Sequence, residues 1–326
     1  MAATNNEVWQ KGTVVSTETI AEGIKKLVIR QSNPAKAAAG SHLDLMIDIN
    51  GEPTRRSYSI VTQSDDLTEL TIAVFQVRNS RGGSIAMHNL KPGDELDITQ
   101  PIQNFPFRFG AKKYILLAGG IGVTALIEMG NALKNSNTNY EFHYVARSRK
   151  AMSFADVLHK THGDNFHQYI DDEDNSISVT EFMKRVDHDT EVYMCGPIRL
   201  MDEVRRTWSN SDLDITNLRY ETFGASGWFD PEEFIVRVPE KNAEVTVGKN
   251  QTIVEALEAA GLEVMSDCRK GECGLCEARI VKHTGKIDHR DVFYSEEQKH
   301  EGEKIACCVS RLISDGKPAS IDIILT

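Results

Sequence analysis

The stretch DCRKGECGLC, Asp267 to Cys276, limits what this chain can fold into more than any other. Cys268, Cys273 and Cys276 are separated by four residues and then two, and Gly271 and Gly274 lie in the gaps. Cys307 and Cys308 stand side by side downstream, and Cys195 completes a set of six, five of them in the last 60 residues. A secreted chain of this length would spread its cysteines as pairs through the fold. The start, MAATNNEVWQ, has no basic segment leading into an apolar stretch, so no secretory signal is expected. Local clustering of thiols in such a chain predicts a metal or cluster site in a cytoplasmic protein.

The spacing C-x4-C-x2-C with a distant fourth thiol is the plant-type [2Fe–2S] pattern. Glycine suits it, because cluster sulfides are held by backbone N–H groups and a residue without Cβ lets the backbone approach. The competing reading is structural zinc. Four-thiolate zinc sites usually pair two short C-x2-4-C knuckles, and Cys307–Cys308 has no spacer for that. The spacing leaves either Cys307 or Cys308 as the fourth ligand. If that segment is extended, only one of two adjacent side chains can face the cluster. The polar stretch Tyr294–Lys304 reads as a surface loop.

The 326 residues are enough for two or three domains. No apolar run of about 18 residues occurs, so no membrane span is expected. A formal net charge of −11 argues against sequence-independent nucleic-acid binding. The chain changes character twice. Up to about residue 109, short period-two runs (GTVVST, KKLVIRQ, HLDLMID, RSYSIVT, LTIAVFQV, DELDITQP) predict a closed antiparallel barrel. From Lys113, strands such as YILLAG, EFHYVAR, FHQYI and EVYMCGP alternate with helical runs, which predicts a parallel sheet with helices on both faces. GASGWFDPEE, Gly224 to Glu233, reads as a linker. After it, EFIVRVP and AEVTVG suggest a hairpin and TIVEALEAAG a helix. The expected domains are residues 1–109, 110–226 and 234–326.

Two further stretches suit cofactors. Within RRSYSI, Arg56-Ser57-Tyr58-Ser59 resembles the flavin motif of the ferredoxin–NADP reductase superfamily. Tyr58 can lie against the isoalloxazine, Ser59 can hydrogen-bond near N5, and Arg56 can pair with the phosphate as a planar fork. Arg81, Gly82, Gly83 and Ser84 open a short helix whose free N–H groups suit an anion. AGGIGVT, with Gly119, Gly120, Gly122 and Thr124, joins a buried strand to a helix, and MCGP, with Cys195, Gly196 and Pro197, ends a later strand. Ligands of open α/β sheets bind beyond such strand ends. The bland alternatives are a half-buried strand and simple glycine turns. Cys195 is expected to pack near the nicotinamide and not to react.

Taken in order, RRSYS, RGGS followed by MH, GGIGVT, MCGP, YETF and the cysteine loop resemble the phthalate dioxygenase reductase family over essentially the whole chain. The resemblance implies a multidomain fold: an antiparallel flavin β-barrel, an α/β parallel-sheet nicotinamide domain and an α+β (β-grasp) plant-type ferredoxin domain. It implies FMN rather than FAD and NADH rather than NADPH, although Arg147 and Arg149 could hold a 2′-phosphate. It implies that Phe223 covers the flavin ring. In Ala306-Cys307-Cys308-Val309-Ser310-Arg311 the family's Cys-x-Ser-Arg falls on Cys308, which makes Cys268, Cys273, Cys276 and Cys308 the iron ligands. Ala125 departs from the proline usual after GGIGIT, a position where proline is favoured but not essential.

Nicotinamide releases two electrons together, a [2Fe–2S] cluster accepts one at a time, and a flavin can do both. The implied function is a cytoplasmic, monomeric NADH-dependent reductase. It would pass single electrons through FMN and the cluster to a Rieske-type terminal oxygenase, without an acid–base catalytic pair. Rivals from other classes are a redox sensor read by a regulator, and a zinc-and-nucleotide binding module without redox activity.

Overall fold

The computed structural model describes residues 7–49, 51–77, 80, 82–223, 229–316 and 318–325. Two compact units emerge: Met1–Gly196 with Thr207–Glu221, and Pro197–Arg206 with Thr222–Thr326.

The first unit opens with β1 (Trp9–Ala21), β2 (Ile24–Gln31), β3 (Ser41–Ile49), β4 (Glu52–Gln63), β5 (Glu69–Phe75), α1 (Gly83–Asn89), β6 (Glu95–Thr99) and β7 (Ile102–Gln103). The first six strands run in the order β4-β5-β2-β1-β6-β3, and pairing of β3 with β4 closes the ring. All these pairings are antiparallel. Alternate residues point inward, so Leu27, Ile29, Leu43, Leu45, Ile72 and Ile98 fill the interior with no exposure. The sequence pattern missed only the two-residue β7.

The same unit continues with β8 (Lys113–Gly119), α2 (Ile127–Asn135), β9 (Tyr140–Ala146), α3 (Ala155–His162), β10 (Phe166–Ile170), α4 (Val179–Met183) and β11 (Thr190–Cys195). After α5 (Ile198–Ser209) comes β12 (Leu218–Glu221). The five strands are parallel in the order β10-β9-β8-β11-β12. Strand order therefore reverses between β8 and β11, and a crevice forms beyond the carboxyl ends of strands at such a reversal. Central strands buried on both faces read as apolar runs. Tyr114, Ile115, Leu116, Leu117 and Ala118 of β8 all have zero exposure. The glycine stretch after β8 is a 3-10 turn, Gly120–Ala125, and the regular helix α2 begins only at Ile127.

The second unit holds β13 (Phe234–Val238), β14 (Ala243–Val247), α6 (Ile253–Ala259), β15 (Glu277–Thr284), β16 (Lys286–Asp288), α7 (Glu296–Glu301), β17 (Lys304–Ala306), β18 (Arg311–Ile313) and β19 (Ser320–Leu325). The main sheet runs β14-β13-β19-β15-β17. Helix α6 starts at a capping box: the Glu255 N–H donates to the Thr252 hydroxyl oxygen and the Thr252 N–H to the Glu255 carboxylate. Its Ile253, Val254, Ala256 and Leu257 are buried in a core with Val236, Val247, Ile305 and Ile321. Two readings change here. Tyr294–Lys304 is not simply a loop, because it contains the capped helix α7. Of the expected linker, residues 224–228 lie outside the described residues. The following segment is tied down: Arg290 donates to the Phe229 carbonyl at 2.9 Å and Arg311 to the Glu232 carbonyl at 2.8 Å.

Candidate functional site

Three groups of residues carry the chemistry. On β4, Arg56 and Tyr58 alternate with Ser57 and Ser59, so the two pairs face opposite ways. Tyr58 sits opposite Leu43 and Ser59 opposite His42 in the β3 register. Ser59 is buried. Burial pushes the Tyr58 phenol up to about 12, against the opposing pull of the Arg56 charge. Gly83 packs on the Arg56 side chain so closely that a Cβ there would lie 2.7 Å from Nε. That contact sets the first turn of α1 beside the guanidinium. Gly82 holds a left-handed φ of 96°. Ser84 Oγ accepts from the Val77 N–H at 3.2 Å and donates to Ser80 Oγ at 2.9 Å, and Ser80 Oγ accepts from the Gly82 N–H. Arg81 lies outside the described residues.

Sequence reasoning missed the neighbouring Asp44, 2% exposed. Its carboxylate accepts from the Arg55 guanidinium and the Ser57 hydroxyl, and His42 Nε2 lies 3.7 Å away. In the alternating run HLDLMID an aspartate reads as a solvent-facing residue. Only the pairing with β4 supplies the groups that make its burial tolerable.

At the strand-order reversal, Gly122 lies against the end of β11: a Cβ would fall 2.2 Å from the Cys195 carbonyl oxygen. Gly196 faces Gly119 in the same way, at 3.0 Å from its Cα. The two glycine motifs are thus one piece of local structure. The Thr124 hydroxyl donates to the Ile121 carbonyl at 2.9 Å and ties off the 3-10 turn. Cys195 is buried, and the Pro197 carbonyl accepts from Met201 as α5 begins. Arg147 is exposed at the end of β9. Arg149 is engaged: its Nη2 and Nε donate to the Glu173 carboxylate at 2.6 and 2.9 Å. Phe223 is 37% exposed.

The third group is the thiols. The backbone N–H groups of Lys270, Glu272 and Cys273 all point at Cys268 Sγ, each at 3.4 Å. Cys268 and Cys276 both perturb the titration of the Cys308 thiol, and Cys268 that of Cys273. Cys308 and the three amides hold the Cys268 thiol well below its ordinary value, while Cys268 and Cys276 push the Cys308 thiol up. Cys307 has zero exposure and packs in the apolar core, where burial pushes its thiol up. The segment is a turn and not an extended strand, since both the Val309 and Ser310 N–H groups donate to the Ala306 carbonyl. Gly271 and Gly274 take φ of 78° and 76°, and a Cβ on Gly274 would fall 2.3 Å from the Phe293 ring. The four cysteines, the amides aimed at one sulfur and the glycines held at left-handed φ form a donor set that fits a [2Fe–2S] cluster.

Glu141, His143 and His167 also bring metal-type donors together. There, however, Lys113 and Arg185 lie 2.7 and 2.9 Å from the Glu141 carboxylate oxygens. Its charge is already matched.

A closed barrel, a parallel sheet with glycines at its strand-order reversal, and a ferredoxin-type fold with a C-x4-C-x2-C cysteine loop define a flavin and iron–sulfur oxidoreductase. Residues 11–107 match the family model for the oxidoreductase FAD-binding domain, and residues 236–312 that for the 2Fe-2S iron-sulfur cluster binding domain. The carnitine monooxygenase reductase subunit of Acinetobacter baumannii is 30% identical, covering 95% of this chain and 96% of its own. The heme-dependent oxidative N-demethylase beta subunit of Ectopseudomonas mendocina is 32% identical over 88% and 89%. The phthalate dioxygenase reductase of Burkholderia cepacia is 32% identical over 84% of both chains. The solved phthalate dioxygenase reductase structure superposes with a TM-score of 0.71 at 28% identity, covering 98% of each chain. An intact type IV self-sufficient cytochrome P450 monooxygenase matches with a TM-score of 0.66 at 31% identity, covering 98% of this chain and 41% of that longer one. The chain belongs to the phthalate dioxygenase reductase family. It is an oxidoreductase with a flavin-binding domain, an NAD(H)-type fold and a [2Fe–2S] domain.

Proposed function

We propose that this protein takes electrons from NADH on FMN and delivers them singly, by way of its [2Fe–2S] cluster, to a Rieske-type terminal oxygenase. When bound, the flavin supplies the change from two-electron to one-electron chemistry and the cluster supplies a one-electron relay. Arg56 and the N–H groups of Gly83 and Ser84, with Arg81 and the Gly82 turn, hold the flavin phosphate. Tyr58 lies on the ring, and Ser59 donates to its edge. Gly119, Gly120, Gly122, Thr124 and Gly196 line the dinucleotide crevice. Cys268, Cys273, Cys276 and Cys308 hold the iron.

The observation that carries this reading is the set of three backbone N–H groups aimed at Cys268 Sγ in a C-x4-C-x2-C loop, in a chain that also holds a flavin-type barrel. The Arg149–Glu173 pair favours NADH, because that guanidinium is already matched and stands less ready for a 2′-phosphate. FMN is favoured by the resemblance to phthalate dioxygenase reductase. Chromatography of the flavin released by denaturation separates it from FAD.

A second reading concerns the acceptor. A heme-dependent N-demethylase subunit and a P450 fusion carry the same modules, which favours a heme oxygenase as the alternative partner. The test mixes the purified reductase and NADH with candidate Rieske and heme oxygenases and follows product formation. Turnover only with heme proteins overturns the Rieske assignment. Absence of NADH-driven reduction of cytochrome c overturns the electron-transfer reading itself.

A further inference from the structure

Thr222 and Glu272 are 50 positions apart in sequence, and they meet beside the cysteine loop. Thr222 is 4% exposed. Its backbone N–H donates to Glu272 Oε1 at 2.7 Å. Its hydroxyl lies 2.8 Å from the same oxygen and 2.9 Å from the Lys270 carbonyl, so its single proton serves one of the two while the amide always serves the carboxylate. Lys270 and Glu272 are also two of the three residues whose amides point at Cys268 Sγ. One residue therefore grips the loop through the backbone of one amide donor and the side chain of another.

The loop needs such a grip. Arg269 holds a left-handed φ of 49°, a conformation a non-glycine residue keeps only where its surroundings enforce it. Hydrogen bonds to cluster sulfurs help set reduction potential and the electronic structure of the iron pair. Any drift of the 270–273 backbone changes three such bonds at once.

We propose that Glu272, anchored on Thr222, is a positioning residue for the cluster: it fixes the amides aimed at Cys268 and so sets the cluster's electronic environment. This rests on Cys268 being an iron ligand, and a Cys268→Ser variant tests that separately by its iron content. Glu272→Ala removes both the grip and a charge. Glu272→Gln removes the charge alone and keeps an oxygen for the Thr222 amide. Thr222→Val keeps the charge and removes the hydroxyl.

The experiment records iron content, the electron paramagnetic resonance spectrum of the dithionite-reduced protein, and the rate of cluster reduction after mixing with NADH. Glu272→Ala is expected to keep its iron and flavin, to shift the resonance, and to slow cluster reduction on the order of tenfold, the usual effect of losing an outer-shell partner. Glu272→Gln is expected to restore the wild-type spectrum, and Thr222→Val to shift it in the direction of the alanine variant. If Glu272→Ala loses its iron, Thr222→Val carries the same comparison. A wild-type resonance and rate in Glu272→Ala, or in Thr222→Val where the alanine variant loses iron, overturns the proposal. So does a Glu272→Gln spectrum as altered as that of alanine, which would make the charge and not the grip responsible. A normal chromophore in Cys268→Ser overturns the ligand assignment beneath it.

Discussion

The Cys307 amide donates to the Cys276 carbonyl oxygen at 3.0 Å. This bond holds the Cys307–Cys308 turn against the end of the cysteine loop and leaves the two adjacent thiols in different environments. Both are buried in the same apolar core cluster, but Cys307 has zero exposure, whereas the Cys308 thiol is perturbed by both Cys268 and Cys276. Cys308→Ser is therefore expected to abolish or severely weaken the [2Fe–2S] absorption. Cys307→Ser should leave that spectrum nearly unchanged while destabilising the fold by about 1–3 kcal/mol, since it buries a hydroxyl among apolar groups. Iron content and the visible spectrum decide. The opposite pattern would move the ligand to Cys307.

Arg56 offers a different readout. Gly83 lies against its side chain, which places the guanidinium beside the first turn of α1. Replacing it with alanine removes a charge-assisted hydrogen bond worth about 1.5–3 kcal/mol. Flavin retention should fall on the order of tenfold or more, while the protein that keeps its flavin is reduced by NADH at close to the normal rate. Full flavin content in purified Arg56→Ala counts against the phosphate-pairing role.

Gly122→Ala tests the crevice at the strand-order reversal. The new methyl would stand 2.2 Å from the Cys195 carbonyl oxygen and 2.8 Å from the Gly196 nitrogen, both backbone atoms that cannot rotate away. Forcing the two glycine turns apart costs about 1–3 kcal/mol. The expected result is a raised KM for NADH with unchanged flavin and iron content. An unchanged KM would show that the crevice tolerates a side chain and does not hold the dinucleotide.

How much of this was legible beforehand depends on the range of the interactions. The barrel strands declared themselves because burial of one face imposes period two, as in the run around Tyr58. The parallel strands declared themselves as apolar runs bounded by glycines. The cysteine spacing is local, and so was readable. Helix α7 was not, because EEQKHE has no apolar stripe. Its one signal was the capping box of Ser295 and Gln298. The turn at Cys307 has neither glycine nor proline to announce it. Asp44 and Glu272 depend on partners from other segments, Arg55 and Ser57 for one and Thr222 for the other. No local pattern encodes such pairings.

The last prediction concerns acid stability and His162, at the end of α3. The ring is buried, its Nδ1 meets the Tyr140 hydroxyl at 2.8 Å, and it lies 5.4 Å from the Phe142 ring. Its Nε2 has no hydrogen-bond partner among the described residues. Burial, reinforced by the charge of Lys134, pulls the imidazole from 6.5 down to about 4. In the folded chain the ring thus stays neutral until the pH nears about 4, whereas in the unfolded chain it takes a proton near 6.5. Between those values the unfolded state binds more protons, so stability falls as pH falls through the window and is flat above it. Lowering the pH from about 7 to about 5 should cost on the order of 2 kcal/mol through this residue. His162→Gln keeps polar atoms for Tyr140 and cannot titrate. Urea unfolding followed by circular dichroism at both pH values should show the wild type losing more stability than the variant by that margin. Equal losses in the two proteins would mean that His162 is already solvated, or already charged, in the folded chain.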